Sequence, residues 1–154
     1  VQAVNSPLDI QARSAMMSAS LMGATAFQKG LGAMHSIAHV VGAKLDVHHG
    51  LINAVVMPYV LCHNQSAIED RITRLARYLD LPNPGFQAFL DWVLQIRTTL
   101  NIPHTLADIG VQRHHIGTFA PASVLDPSTG SNPLPMGRAE FEQLYLHAVE
   151  GTLT

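Results

Sequence analysis

Apolar positions recur along this chain mainly at helical spacing, and no stretch alternates in the manner of a strand. The first helix is signalled by Asn5-Ser6-Pro7-Leu8-Asp9, where Ser6 can cap, Pro7 suits the first turn and Asp9 complements the dipole. It is expected to run to about Lys29. Ala12, Ala15, Met16, Ala19, Leu21, Met22, Ala24, Ala26 and Phe27 leave it apolar on nearly every face, the pattern of a helix central to a bundle or crossing a membrane. The uncharged run from Ser14 to Gln28 is shorter than the ~20 residues a span needs, so a core helix is predicted.

Gly30 and Gly32 break that helix, and a second is expected from about Leu31 to Leu45. After His49-Gly50, Leu51 to Cys62 reads as another, kinked or shortened by Pro58. Ser66-x-x-Glu69 has the form of a capping box opening a further helix, whose stripe is Ile68, Ile72, Leu75, Ala76 and Leu79. Its outward Asp70, Arg71, Arg74 and Arg77 read as solvated charge. Asn83-Pro84 signals the next start, with Phe86, Phe89, Leu90, Val93, Ile96 and Leu100 on one face and Trp92 near it, ending at Asn101-Ile102-Pro103. From His104 to Leu134, Gly117, Pro121, Pro127, Gly130 and Pro133 permit only short helices and loop. Arg138 to Glu150 is the last helix, with Phe141, Leu144, Tyr145 and Ala148 inward and Gly151 just past its end. The fold class is all-α, a helical bundle forming one domain over the 154 residues.

Composition narrows the functions. Only 13% of residues are charged against 47% hydrophobic, which signals extensive burial. The net charge of -2 and the lack of a basic block argue against nucleic acid or an anionic membrane surface as partner. Cys62 is the lone cysteine, so no internal disulfide can form, which fits a reducing, cytoplasmic setting. Neither a signal peptide, a Gly-rich nucleotide fingerprint nor a P-loop is found.

The chemistry concentrates between Met34 and Gly50, which hold His35, His39, His48 and His49 among the nine histidines. His35 and His39 are four apart and share a helix face. His49 returns beside Gly50, so two rings from a helix and one from a turn could converge, for metal binding or proton transfer. An isolated i,i+4 pair is more often plain surface or core. Here the neighbours Leu31, Met34, Ile37, Ala38, Val40, Val41 and Ala43 are expected to be largely buried, and several buried rings need partners. The methionines read as core filler. His114-His115 reads as surface, because adjacent helical side chains diverge.

The run Gly23-Ala-Thr-Ala-Phe-Gln-Lys-Gly-Leu-Gly-Ala-Met-His-Ser-Ile-Ala-His, then Gly42-Ala, His48-His-Gly and Asn53-Ala-Val-Val-Met-Pro-Tyr-Val, resembles the iron-containing (group III) alcohol dehydrogenase family. The match is to the signature of that family's helical C-terminal domain, with its dehydroquinate synthase-like fold. The resemblance implies that His35 and His49 are metal ligands and that His39 lines the substrate and nicotinamide side of the cleft, placed to relay a proton. It implies Fe²⁺, or Zn²⁺, as the metal, NAD or NADP as hydride carrier, and a small alcohol or aldehyde as substrate. Three departures stand out: Val40 replaces a common proline, Asn132-Pro133-Leu134 replaces Asn-Pro-Arg, and the earlier Asp and His that complete the family's site are not in this sequence.

That last departure, with the abrupt start at Val1, leads us to expect a C-terminal fragment lacking its nucleotide-binding domain, inactive alone. The choice between NAD and NADP would lie in that domain. The fragment is expected to fold by itself, expose an apolar patch around His35 and His49 where the nucleotide domain would sit, self-associate through it as a homo-oligomer, and bind metal weakly through His35 and His49 with His39 as an opportunistic third ligand. The alternative is a non-catalytic helical dimerisation or interaction module derived from the family, which would have no physical reason to retain all three histidines.

Overall fold

A computed structural model describes residues 1–153. Among them are seven α-helices and no strand: α1 (Gln2–Asn5), α2 (Ile10–Ala26), α3 (Ala33–Leu45), α4 (His49–Tyr78), α5 (Phe86–Thr99), α6 (Ile116–Val124) and α7 (Arg138–Glu150). Short 3₁₀ turns at Phe27–Lys29, Ala107–Ile109, Arg113–His115 and Pro127–Ser131 link them. The all-α bundle is as the periodicity predicts. Its main core gathers Ile37, Val41, Ile52, Val56, Phe119, Phe141 and Tyr145, from α3, the first half of α4, α6 and α7. A smaller cluster of Ala76, Phe89 and Val93 joins the second half of α4 to α5.

The two helices expected from Leu51 to Leu79 are one, unbroken for 30 residues. Pro58 removes the N–H that would reach the Ala54 carbonyl, yet its ring is fully buried and the helix continues. Beside that gap, buried Arg97 of α5 donates Nη1 to the Val55 carbonyl at 3.2 Å, and its cation lies 5.9 Å from the Tyr59 ring. The same guanidinium donates to the His104 carbonyl, which also accepts from Tyr59 Oη at 2.7 Å. The Ser66–Glu69 box is not used as a cap. An N-cap contributes only about 1 kcal/mol, and α4 gains more by packing its first half on α3 and its second on α5.

At the N-terminus the cap is Asp9, which accepts from the Ala12 N–H at 3.0 Å, and not Ser6. The expected core helix is corrected more fundamentally: α2 has no buried residue. Leu8 is 91% exposed, Met17 74% and Met22 72%. The helix packs chiefly on α1 and on the turn that follows it. A helix without charge beyond Arg13 and without an amphipathic face marks a segment that seeks cover, but the pattern does not say what supplies it. At α5 the cap is Gly85, because Asn83 turns left-handed at φ 49° and the helix begins only at Phe86.

The start of α3 is held from far along the chain. Gly30 and Gly32 take φ of +99° and +88°, which other residues adopt only with strain, and a Cβ on Gly30 would collide with the Ser131 side chain. This close approach lets the N–H groups of Leu31, Gly32 and Ala33 donate to Ser131 Oγ, the Ser128 carbonyl and Asn132 Oδ1, each at 3.1 Å. Asn132 also exchanges amide hydrogen bonds with buried Asn64 of α4, at 2.8 and 3.1 Å. Between α4 and α7, the His63 Nε2 is buried without a partner. Burial lowers the pKa of that ring below 6.5, with Glu140 opposing and His147 adding to the shift.

Asn132→Ala removes a helix cap and strands the Asn64 amide, so it is expected to cost about 2–4 kcal/mol, read as a fall in the urea midpoint at unchanged slope. His63 binds its proton more weakly folded than unfolded. Stability is therefore intact above about pH 6.5 and falls as pH drops from there through the lowered folded value. Urea titrations between pH 7 and pH 5 should show a shallower loss for His63→Gln than for wild type.

Candidate functional site

The clasp at Gly30–Ala33 sets the position of the first turns of α3, and these carry His35 and His39 on one face. Their ring centroids are 6.1 Å apart. α3 ends with Asp46 in the left-handed region at φ 55°, and three residues later His49 opens α4. Its ring stands 5.3 Å from those of both His35 and His39. The three histidines singled out by spacing are thus brought together, while His48 occupies the N-cap of α4 outside the group.

Asn53, one turn beyond His49, sits between two of the rings. Its Nδ2 lies 2.9 Å from His49 Nε2 and 3.4 Å from His35 Nε2, so one amide faces the same nitrogen of both imidazoles. Around it, His35 Nδ1 and Asn53 Oδ1 are buried with no protein partner. Such orphans cost roughly 1–3 kcal/mol each, and they fit a centre whose polar atoms are arranged for something other than each other. His35 is 8% exposed, and the Phe27 ring meets it edge-on at 5.6 Å. Burial, reinforced by His49 and His39 and opposed by Asp126, lowers the His35 pKa. The ring is therefore neutral near pH 7, with a lone pair available.

His39 has a different partner. Its Nδ1 is 2.9 Å from Oδ2 of Asp126, just past the end of α6, and Asp126 Oδ1 accepts from the Ser128 N–H at 2.8 Å. Burial pushes the Asp126 carboxyl up, but the bonds from Ser128 and His39 outweigh it and hold it below the usual carboxylate range.

Several expectations need correction. Of the four histidines only His35 is buried; His39, His48 and His49 are exposed, because this face of α3 and the start of α4 lie at the bundle surface. Ala43 is exposed as well, and Leu31 and Met34 are only partly buried. No group of three or more His, Cys, Asp or Glu is arranged around a metal position among the described residues, and His39 Nδ1 is engaged by Asp126. His114 and His115 do not diverge: they lie on a 3₁₀ turn with centroids 4.1 Å apart, His115 stacked on Phe119 and its Nδ1 accepting from the Gln112 N–H. Asn53 enters the sequence reading only as part of the family-like run, with no site role, and Asp126 does not enter it at all. Asn53 has a further local signal in its i+4 spacing from His49, and nothing local links Asp126 to His39.

Comparison with known proteins supplies an independent frame. Residues 1–149 match the family model described as Fe-containing alcohol dehydrogenase family, C-terminal. The chain is 37% identical over 145 residues to 4-hydroxybutyrate dehydrogenase of Cupriavidus necator, covering 88% of this chain and 37% of that protein. It is 33% identical over 155 aligned residues to the NAD-dependent methanol dehydrogenase of Bacillus methanolicus, covering 96% and 41%. Among solved structures, a 1,3-propanediol oxidoreductase superposes with a TM-score of 0.90 at 28% identity, over 96% of this chain and 40% of that one. The chain thus spans about two fifths of the length of these relatives.

Proposed function

The chain belongs to the Fe-containing alcohol dehydrogenase family, and from that premise we propose that it is the helical, metal-holding part of an NAD(P)-linked dehydrogenase acting on a small alcohol or aldehyde. The observation that carries this reading is the shared focus of His35 and His49, whose Nε2 atoms face one amide beside buried atoms that have no partner. These two imidazoles would hold Fe²⁺, or Zn²⁺, as the donor chemistry of the pair allows. When bound, the metal supplies Lewis acidity toward an alcohol or carbonyl oxygen and the nicotinamide supplies hydride chemistry.

The residues of this chain then divide the work. His35, buried and neutral, offers a pre-placed donor, and Phe27 shields its edge from water. His49 is exposed and approaches from the opposite helix. His39, beside both rings and open to solvent, is suited to pass a proton between the cleft and water. An interaction module alone would have no need of three converging imidazoles. No helix among the described residues is long and apolar enough to cross a membrane. The reading includes a homo-oligomer, supported by the exposed apolar side chains of α2.

Calorimetric titration with Zn²⁺ tests the site. Wild type should bind weakly, His35→Ala and His49→Ala should each abolish binding, and His39→Ala should reduce it less. Binding should also fade at acid pH as His35 takes up a proton, which burial holds off to below the ordinary imidazole value. Absence of binding, or binding indifferent to both ligand substitutions, would sink the reading. For association, light scattering should show a mass that rises with concentration and falls toward monomer in Met17→Glu/Leu21→Glu; a concentration-independent monomer speaks against it.

A further inference from the structure

We infer that Asp126 is the positioning residue for His39, fixing its imidazole with the hydrogen on Nδ1 so that Nε2, on the opposite edge of the ring, is left as the proton-accepting atom. This rests on the proposed relay role of His39 and adds to it the group that would make the relay directional.

The geometry is specific at both ends of the carboxylate. Oδ1 is engaged by the Ser128 N–H at 2.8 Å, as the N-cap of the 127–131 turn, which leaves Oδ2 for His39 Nδ1 at 2.9 Å. An ionised carboxylate can only accept hydrogen bonds, so a contact of this length requires the imidazole to donate from Nδ1. The tautomer is thereby set by the partner, because the bond made by one ring nitrogen decides the state of the other. Asp126 is itself held in place: its side chain is 12% exposed, and the turn it caps is the one clasped to Gly32 and Ala33 at the start of α3. The clasp that positions the histidine helix therefore also positions the carboxylate against it.

The consequence for the relay follows from where the proton goes. In the proposed relay the hydroxyl proton would pass to Nε2, the ring nitrogen whose lone pair this tautomer leaves free, while Nδ1–H stays on the Asp126 carboxylate. With the opposite tautomer Nε2 would already carry hydrogen and could not accept. A carboxylate that orients an imidazole and stabilises its charged form without taking the proton is an established arrangement in acid–base catalysis.

The test is the tautomer itself, read by long-range ¹H–¹⁵N correlation spectra of the labelled chain above pH 7.5, with His39 assigned from the signals missing in His39→Gln. Wild type should show a pyrrole-like Nδ1 and a pyridine-like Nε2. Asp126→Asn keeps an oxygen for the Ser128 N–H but turns an N–H toward His39, so the two ring nitrogens should exchange shifts while the Ser128 amide signal stays in place. A pyridine-like Nδ1 in wild type overturns the inference without needing any variant, as does an unchanged tautomer in a folded Asp126→Asn. The measurement does not depend on turnover. A tautomer set by Asp126, in a protein whose full-length form tolerates His39→Gln without loss of rate, would uphold the positioning and reject the relay.

Discussion

At the start of α3 the Ala33 N–H has no carbonyl of its own helix to bond, as at any helix start, and no capping side chain stands next to it in sequence. It and the N–H groups of Gly32 and Leu31 just before the helix are satisfied instead by Asn132, Ser128 and Ser131, about a hundred residues later. Gly30 and Gly32 carry the backbone conformations that permit this approach. Asn132 then reaches Asn64, tying the same turn to α4. One clasp therefore sets the mutual position of the helix that carries His35 and His39, the helix that carries His49, and the turn that presents Asp126.

Much of the bundle was legible because its signals are local. α3 and α7 lie within two residues of their expected bounds, and Phe141, Leu144, Tyr145 and Ala148 face inward as the stripe requires. Local signals failed where a distant contact decides the outcome. Ser66-x-x-Glu69 is a sound cap sequence, yet α4 runs through it because both of its halves have helices to pack on. The composition of α2 says that it avoids water, while the fold leaves it uncovered within this chain.

The candidate site divides along the same line. The i,i+4 pair and the H-G turn are visible in the sequence, and their rings meet. Asn53 and Asp126 are not visible in this way, since Asn53 matters through a ring on another helix and Asp126 reaches His39 across 87 positions. Burial was overestimated for the same reason. An apolar neighbourhood along the chain does not reveal that only the His35 edge of the cluster turns inward.

Membership of the Fe-containing alcohol dehydrogenase family and the convergence of His35 and His49 on one amide together make the proposal one about location: a metal ion would sit between these two rings, beside Asn53. Co²⁺ added to the ¹⁵N-labelled chain measures that location directly through the pseudocontact shifts it induces. The expected shifts fit a single ion between His35 and His49, with the strongest broadening at the start of α4 and the first turns of α3. Shifts that fit an ion at His114–His115 or at His63, or no shifts at all, would contradict it.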